Sequence, residues 1–287
     1  MKISKVSDLE DYKKHVLDSE SNLRLLATID ASLNNKIKNQ QEFYMDGYSW
    51  TAQSNSEFLV DLQYSNGSEI NLRERLVCRK TKLNNRIRGC IHVFETLFAP
   101  KLDDNIYLTE QSSVLARWMA KKYPKLVGSE YLLDCSWYYK LRLALRLFPK
   151  KICHQDLTAL SFENQQFNYV LSFDCFEHIP NYLLAFKEIF RTLKASGTLL
   201  FSVPFDINKK DNLIRARIKN GIVEHLVEPE YHGDPVSNKG CLSYYTFGWQ
   251  LLDELREIGF SKVYLLMYWS EKYCYLGGEQ FIICAEK

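Results

Sequence analysis

Long apolar runs are missing from this sequence. Nowhere among its 287 residues do about eighteen apolar residues follow one another, the least that a bilayer-crossing helix needs. No membrane span is expected. The N-terminus, MKISKVSDLEDYKK, has no apolar core of the signal-peptide kind, and a cytoplasmic location is the expectation. The eight cysteines include no C-x-x-C pair, and several, such as Cys175 and Cys284, lie in apolar segments. That pattern predicts buried reduced thiols, not disulfides. An excess of basic charge is missing too: 37 Lys+Arg face 35 Asp+Glu, a formal +2. The only basic cluster is the loose one of Arg73, Arg75, Arg79, Lys80, Lys82, Arg86 and Arg88. A generic nucleic-acid platform is more lopsided, so nucleic acid is not an expected partner.

What is present is concentrated between Cys153 and Phe205. NYVLSF (168–173) is a short apolar run ending in Asp174, and Pro180-Asn181 marks a helix start. Leu183, Phe186, Phe190 and Leu193 recur at helical spacing. Gly197 is read as the left-handed stop of that helix, and TLLFSV as the next strand. Strand, helix and strand with continuous apolar strands predict a parallel sheet covered on both faces. Upstream, IYLTE (106–110) and KLVGSE (125–130) read as strands around the helix SSVLARWMAKKY. A helix over 136–148 and a strand through KICHQ lead to Asp156. Downstream, 247–260 is an amphipathic helix ending at Gly259, followed by the strands VYLLMYW and EQFIICAE. The predicted class is α/β: a Rossmann-like, seven-stranded, mostly parallel sheet within 101–287, with helices on both faces. Residues 1–100 are expected to form a small α+β cap with one helical piece (9–26) and hairpin-like pieces, QEFYMDGYSW and SEFLVDLQYSNGSEI, the second broken at Asn66-Gly67. Residues 205–247 form a long insertion, and loops of that length usually carry function.

Glu110 and Glu130 each close a predicted strand. Acidic residues at strand ends line the edge where such sheets bind ligands, and two carboxylate oxygens match two vicinal hydroxyls of a ribose. Asp156-Leu157-Thr158-Ala159-Leu160-Ser161-Phe162, then Phe167-Asn168-Tyr169-Val170-Leu171-Ser172-Phe173-Asp174-Cys175-Phe176-Glu177-His178, then Arg191 through Phe205 match D-L-x-x-L-x-F, F-D-x-V-x-S-x-D-x-x-E-H and R-x-L-K-x-x-G-x-L-x-x-S-V-P-F. On these motifs the chain resembles the class I S-adenosylmethionine-dependent methyltransferases, departing in the second at Asn168. The resemblance implies S-adenosylmethionine as cofactor and S-adenosylhomocysteine as product. It also implies a cofactor site of Glu110, Gln111, Ser112, Glu130, Tyr131, Asp156, Leu157, Phe173, Asp174, Cys175 and His178. Glu130 would hold the ribose; Asp156 would take the adenine amine, with the Leu157 amide donating to the ring. The usual glycines after the first strand are absent: the loop reads Glu110-Gln111-Ser112-Ser113-Val114-Leu115-Ala116. A dehydrogenase fingerprint needs those glycines to pass a pyrophosphate, whereas a sulfonium cofactor has no phosphate.

The same resemblance places a zinc-ribbon-like pattern in the N-terminal region. Here the four presumed ligand positions read Ser49, Ala52, Cys78 and Thr81, and a tetrahedral site needs four N or S donors, so no metal is expected. Leu83-Asn84-Asn85-Arg86 is expected to keep a structural role. On the acceptor side the candidate catalytic residues are Asp174, His178 and His232. His178 can be a base, a substrate ligand or a brace for its loop; the residues leave this open. Tyr231-His232-Gly233-Asp234-Pro235 matches a recurrent Y-H-G-D-P of the family and would close over the acceptor as a lid. The histidines and carboxylates of the insertion show no ligand spacing and are read as a hydrogen-bonded loop. Tyr244, Tyr245 and Trp249 offer an aromatic wall, or simply packing. The expected function is methyl transfer to O or N of a small-molecule or sugar-containing acceptor, the sugar suggested by relatives associated with surface-polysaccharide pathways. A catalytically inactive binding or scaffold module is the alternative.

Overall fold

The computed structural model describes residues 1–65, 67–133, 135–147, 151–233 and 240–287. They form two compact units, Met1–Lys101 with Leu265–Ile282, and Leu102–Tyr264 with Ile283–Lys287.

The first unit opens with strand β1 (Lys2–Val6) and helices α1 (Leu9–Asp18) and α2 (Glu20–Ile37). The single helical piece expected over 9–26 is therefore two helices, α1 ending at Ser19. Strands β2 (Glu42–Ser49) and β3 (Ser54–Asp61) form an antiparallel hairpin, joined by β4 (Val77–Cys78). The two hairpin-like segments thus pair with each other. The break near Gly67 is not the hairpin turn, and Asn66 lies outside the described residues. Alternate residues of β3, Ser56, Phe58 and Val60, are buried, as a half-buried strand requires. Leu26, Leu33 and Ile37 of α2 join Phe43, Phe58 and Val60 in one apolar cluster.

The remnant 83–86 is structural. Leu83 is buried, and Asn84 caps α3 (Asn85–Val93) by accepting the Ile87 N–H at 3.0 Å. Asn85 donates to the carbonyls of Leu72 and Leu276, and Arg86 pairs with Glu74. Three of the four presumed zinc positions, Ser49, Cys78 and Thr81, join Thr51 in a hydrogen-bonded group. Cys78 Sγ lies 3.4 Å from Ser49 Oγ, and Thr51 Oγ1 stands 3.3 Å from both Ser49 Oγ and Thr81 Oγ1. Burial pushes the Cys78 thiol up, but hydrogen bonds with Ser49, Ser56 and Thr81 outweigh it and bring it down to about 7. The basic cluster is largely spent in the fold: Arg73 and Arg86 meet Glu74, Arg75 meets Asp61, Arg79 meets Glu57, and Arg88 is wholly buried.

The second unit holds β5 (Ile106–Leu108), α4 (Val114–Lys122), β6 (Leu126–Gly128), α5 (Trp137–Leu147), β7 (Phe167–Phe173), α6 (Tyr182–Thr192) and β8 (Leu193–Ser202). Phe148 lies outside the described residues. Strands β8, β7, β5 and β6 are consecutive and parallel. They are apolar at nearly every core position because both faces are covered. Asn181 caps α6 through the Leu184 N–H, and Ala185, Phe186 and Ile189 form its buried stripe.

The insertion folds into three two-stranded ladders, made from β9 (Leu213–Ile214), β10 (Ala216–Lys219), β11 (Ile222–His225), β12 (Tyr231–His232), β13 (Cys241–Leu242) and β14 (Tyr245–Thr246). The ladders are β10 with β11, β12 with β13, and β14 with β9. Helix α7 (Gln250–Ile258) stops at Gly259, whose φ of 123° suits glycine alone. Two long strands, β15 (Lys262–Ser270) and β16 (Tyr275–Glu286), complete the chain.

Seven strands share one sheet in the order β1-β15-β16-β8-β7-β5-β6, with β16 antiparallel to β8 and β1 antiparallel to β15. This is the Rossmann-like fold expected, with two corrections. All seven strands were assigned to 101–287, yet one comes from the first six residues. The strand expected through KICHQ is reduced to a single parallel bridge, Glu130 with His154. A third correction concerns Gly197. Helix α6 ends at Thr192, and the left-handed residue is Ser196 (φ 64°). Gly197 lies inside β8, where a Cβ would stand 2.9 Å from the Lys194 carbonyl oxygen. Close approach, not a helix stop, requires glycine there.

Candidate active site

The carboxyl ends of β5, β6 and β7 bring most of the expected residues to one edge of the parallel strands. Beyond β5, the chain runs through Thr109, Glu110, Gln111 and Ser112 to Ser113, which caps α4 by accepting the Ala116 N–H at 2.9 Å. Glu130, just past β6, reaches this loop: its Oε1 accepts the N–H of Gln111 at 3.0 Å and of Ser112 at 2.7 Å. Its Oε2 accepts no hydrogen bond from the described residues. Gln111 ties the loop on the other side, donating to the Lys151 carbonyl and accepting the Cys153 N–H at 2.9 Å. Arg117 adds a bond to the Ser112 carbonyl.

A loop without glycine is therefore held by side chains. Its close passage is permitted by a glycine on the neighbouring strand. A Cβ on Gly128 would stand 2.7 Å from the Glu110 carbonyl oxygen and 3.3 Å from Gln111 Cα, closer than real Cβ contacts allow. Reading the loop alone missed this. The signal was Gly128 two residues before the acidic one.

Asp156 follows the bridge formed by His154. Its Oδ1 accepts the Thr158 N–H at 2.8 Å and the Thr158 hydroxyl at 2.7 Å, an Asx turn. Leu157 is buried, while Tyr131 is exposed near the His154 ring. Phe173 ends β7, and Asp174 next to it has φ 47°, a left-handed conformation that costs energy in a non-glycine residue and collects at functional sites. The Asp174 N–H donates to the Ser202 carbonyl, and the Ser202 hydroxyl donates to Asp174 Oδ1 at 2.7 Å. Burial, and then the neighbouring Glu177, push the Cys175 thiol up to about 12, so it stays protonated.

Glu177 is the residue that sequence reasoning undervalued. It sits in the short turn Phe176–His178, fully buried, and neither carboxylate oxygen has a hydrogen-bond donor in good geometry among the described residues. Two imidazoles face its Oε1: His178 Nε2 at 3.6 Å and His232 Nδ1 at 3.4 Å. The rings meet edge to face, 5.0 Å between centroids. The remote nitrogens are both engaged, His178 Nδ1 with the Leu242 carbonyl at 2.8 Å and His232 Nε2 with Glu230 Oε1 at 3.0 Å. Glu230 Oε2 is in turn 3.0 Å from Arg215 Nη2. The insertion is stitched to the same turn, since the Tyr244 N–H donates to the Glu177 carbonyl. Glu177 above all, against burial and with help from Glu230, holds the His232 imidazolium up to about 9.

The structure thus brings His178 and His232 together through Glu177, as no spacing in the sequence foretold. Of the expected lid, Tyr231, His232 and Gly233 are described, and Asp234 and Pro235 lie outside the described residues. Trp249 is buried and donates to the Ile207 carbonyl, while Tyr245 donates to that of Pro180.

Residues 112–201 match the family model described as a methyltransferase domain. The match spans α4, β6, α5, β7, α6 and most of β8, the segment that also carries Glu130, Asp156 and Asp174. Over these residues the chain thus carries a methyltransferase domain. S-adenosylmethionine is the cofactor of such domains, and the donor set at this edge fits it: an unspent carboxylate oxygen of Glu130 beside a loop drawn close over Gly128. Solved structures similar to this chain include an S-adenosylmethionine-dependent methyltransferase from Mesorhizobium loti, at 14% identity over 68% of this chain and 97% of that one, TM-score 0.41. Another is phosphoethanolamine N-methyltransferase 2 of Haemonchus contortus, with phosphomonomethylethanolamine and S-adenosylhomocysteine, at 14% over 69% and 52%, TM-score 0.40. A third is the 1,6-didemethyltoxoflavin N1-methyltransferase of Burkholderia thailandensis, at 13% over 70% and 78%, TM-score 0.40. The chain spans about half the length of the nematode enzyme. No curated protein matches it.

Proposed function

We propose that this protein transfers the methyl group of S-adenosylmethionine to an oxygen or nitrogen of a small polar acceptor, with a sugar or surface-polysaccharide precursor as the first class to test. The observation that carries the reading is Glu130: a carboxylate at the end of the second parallel strand, one oxygen fixing the first loop and the other uncommitted. That second oxygen would accept the ribose hydroxyls. Asp156, pinned by Thr158 through Oδ1 alone, would present Oδ2 to the adenine amine, beside the Leu157 amide. Phe173, Asp174 and Cys175 would line the methionine end, with Glu110 and Tyr131 at the margins of the site. The cofactor supplies a methyl on a positively charged leaving group, so the protein's task is to hold the acceptor atom in line, about 3 Å from that carbon. Asp174, His178 and His232 would orient an acceptor, with Asp174 or His178 to take its proton.

A second reading, a binding module with a decayed pocket, draws on the same geometry: Glu130 Oε1 and Asp156 Oδ1 are already spent on main-chain donors. Calorimetric titration with S-adenosylhomocysteine separates the two. Low-micromolar binding that weakens at least tenfold in Asp156→Ala supports the enzyme. No heat from well-folded protein sinks it.

A further inference from the structure

We propose that Glu177, His178 and His232 form a site for a divalent first-row transition-metal ion, which binds the acceptor oxygen beside the methyl donor. The inference deepens the methyltransferase reading and rests on it for the acceptor's place, although the ion site itself can be measured without cofactor. The expectation from sequence was no metal, because the zinc-ribbon positions keep one cysteine and the insertion's histidines and carboxylates show no ligand spacing. In space their ligand atoms all lie within 4.8 Å of one another.

The geometry argues for an ion more than for a hydrogen-bonded loop. Donor atoms about 2.1 Å from a tetrahedral centre stand about 3.4 Å apart, and the two nitrogens lie 3.4 and 3.6 Å from Glu177 Oε1. Those distances are long for hydrogen bonds. Neither Glu177 oxygen accepts a hydrogen bond of good geometry from the described residues, though the side chain is completely buried, and a buried carboxylate so poorly satisfied is costly. A cation removes that cost.

The outer contacts have the form found around metal-bound histidines, where the remote ring nitrogen donates to a carbonyl or carboxylate and so fixes the tautomer. His178 does this with the Leu242 carbonyl, and His232 with Glu230, which Arg215 orients. With an ion in place of the proton on His232 Nδ1, each ring would offer a lone pair at the nitrogen that faces Glu177. Two nitrogens and one oxygen select a zinc, manganese or iron type of ion over magnesium or calcium, which prefer all-oxygen shells. Three protein ligands leave positions open. An acceptor hydroxyl bound there becomes more acidic. The matching substrate class is an oxygen acceptor with a second oxygen donor next to it, such as a vicinal diol.

The test is to titrate chelator-stripped protein with Co2+ and follow its visible d–d absorption, with S-adenosylhomocysteine calorimetry run separately on the same samples. One ion per chain is expected, with no thiolate charge-transfer band, displaced by Zn2+. Affinity should fall at least tenfold in His232→Ala and in Glu177→Gln and stay unchanged in His225→Ala, an exposed histidine of the same insertion. Glu230→Gln, which spares the ligands, should weaken binding several-fold and serves if a ligand variant misfolds. No uptake, a thiolate band, or binding indifferent to His232 and Glu177 overturns the site. Heat from S-adenosylhomocysteine without metal uptake refutes the ion alone; uptake without that heat refutes the cofactor reading alone.

Discussion

Glu130 can be divided experimentally into the two jobs the structure gives it. Its Oε1 accepts two main-chain N–H groups of the loop after β5, and its Oε2 accepts none from the described residues. Hydrogen bonds to a charged acceptor contribute about 1.5–3 kcal/mol each, less here because the side chain is half-exposed and water replaces part of the loss. Glu130→Ala removes both jobs: stability should fall by about 1–3 kcal/mol, and S-adenosylhomocysteine binding should become too weak to measure. Glu130→Gln keeps an oxygen for the loop, since its NH2 would clash with the two amide donors, and so turns an NH2 outward where the acceptor was. Stability should then stay within about 1 kcal/mol of the parent, while affinity falls ~10–100-fold, or about 1.4–2.8 kcal/mol. Denaturant unfolding and calorimetry on the three proteins read the two quantities separately. A glutamine variant that binds as tightly as the parent would refute the ribose assignment. An alanine variant of unchanged stability would refute the loop anchor.

Gly128→Ala should distort the same loop from the opposite side, costing about 1–3 kcal/mol by overpacking and weakening S-adenosylhomocysteine binding at least tenfold; unchanged calorimetry would show that the loop yields freely. His92 gives a pH test of the first unit. It is buried, stacked on Trp50 at 3.9 Å and 3.2 Å from the Tyr275 hydroxyl, and burial, then the N-terminal amine, push it down to about 4. The unfolded chain takes up a proton that the folded one refuses, so stability is full above about pH 6.5 and declines as pH falls toward 4, by about 3 kcal/mol in all. His92→Gln should remove that part of the slope of unfolding free energy against pH; an identical slope in the variant would count against the assignment.

The run from β7 through α6 to β8 was legible because its information is local: apolar runs, a helical stripe, a capping Asn181. Glu130 and Asp156 were legible for the same reason, as acidic residues punctuating strands. What stayed hidden depended on pairing across the chain. KISKV, with two lysines in five residues, carries no strand signal by itself and becomes one only against β15. KICHQ has the composition of a strand but finds one bridge. Gly197 was misread because a glycine that ends a helix and one that admits a neighbouring carbonyl look alike in sequence. Glu177 and His232 meet only because the insertion folds back and its Tyr244 amide clasps the Glu177 carbonyl.

The first unit is written in two instalments, Met1–Lys101 and Leu265–Ile282. On the ribosome, β1 waits for β15, and α3 waits for the carbonyls of Tyr273, Cys274 and Leu276 that Arg88 and Asn85 grip. Its opening hundred residues are thus made early and finished late. Through most of synthesis they hold Phe58 and the wholly enclosed Arg88 without the strands that will cover them, which exposes them to aggregation and to chaperones. Losing β1 and losing Leu265–Ile282 are then insults to the same unit, and a tag that fouls Lys2–Val6 should hinder its folding as much as a deletion within the later instalment.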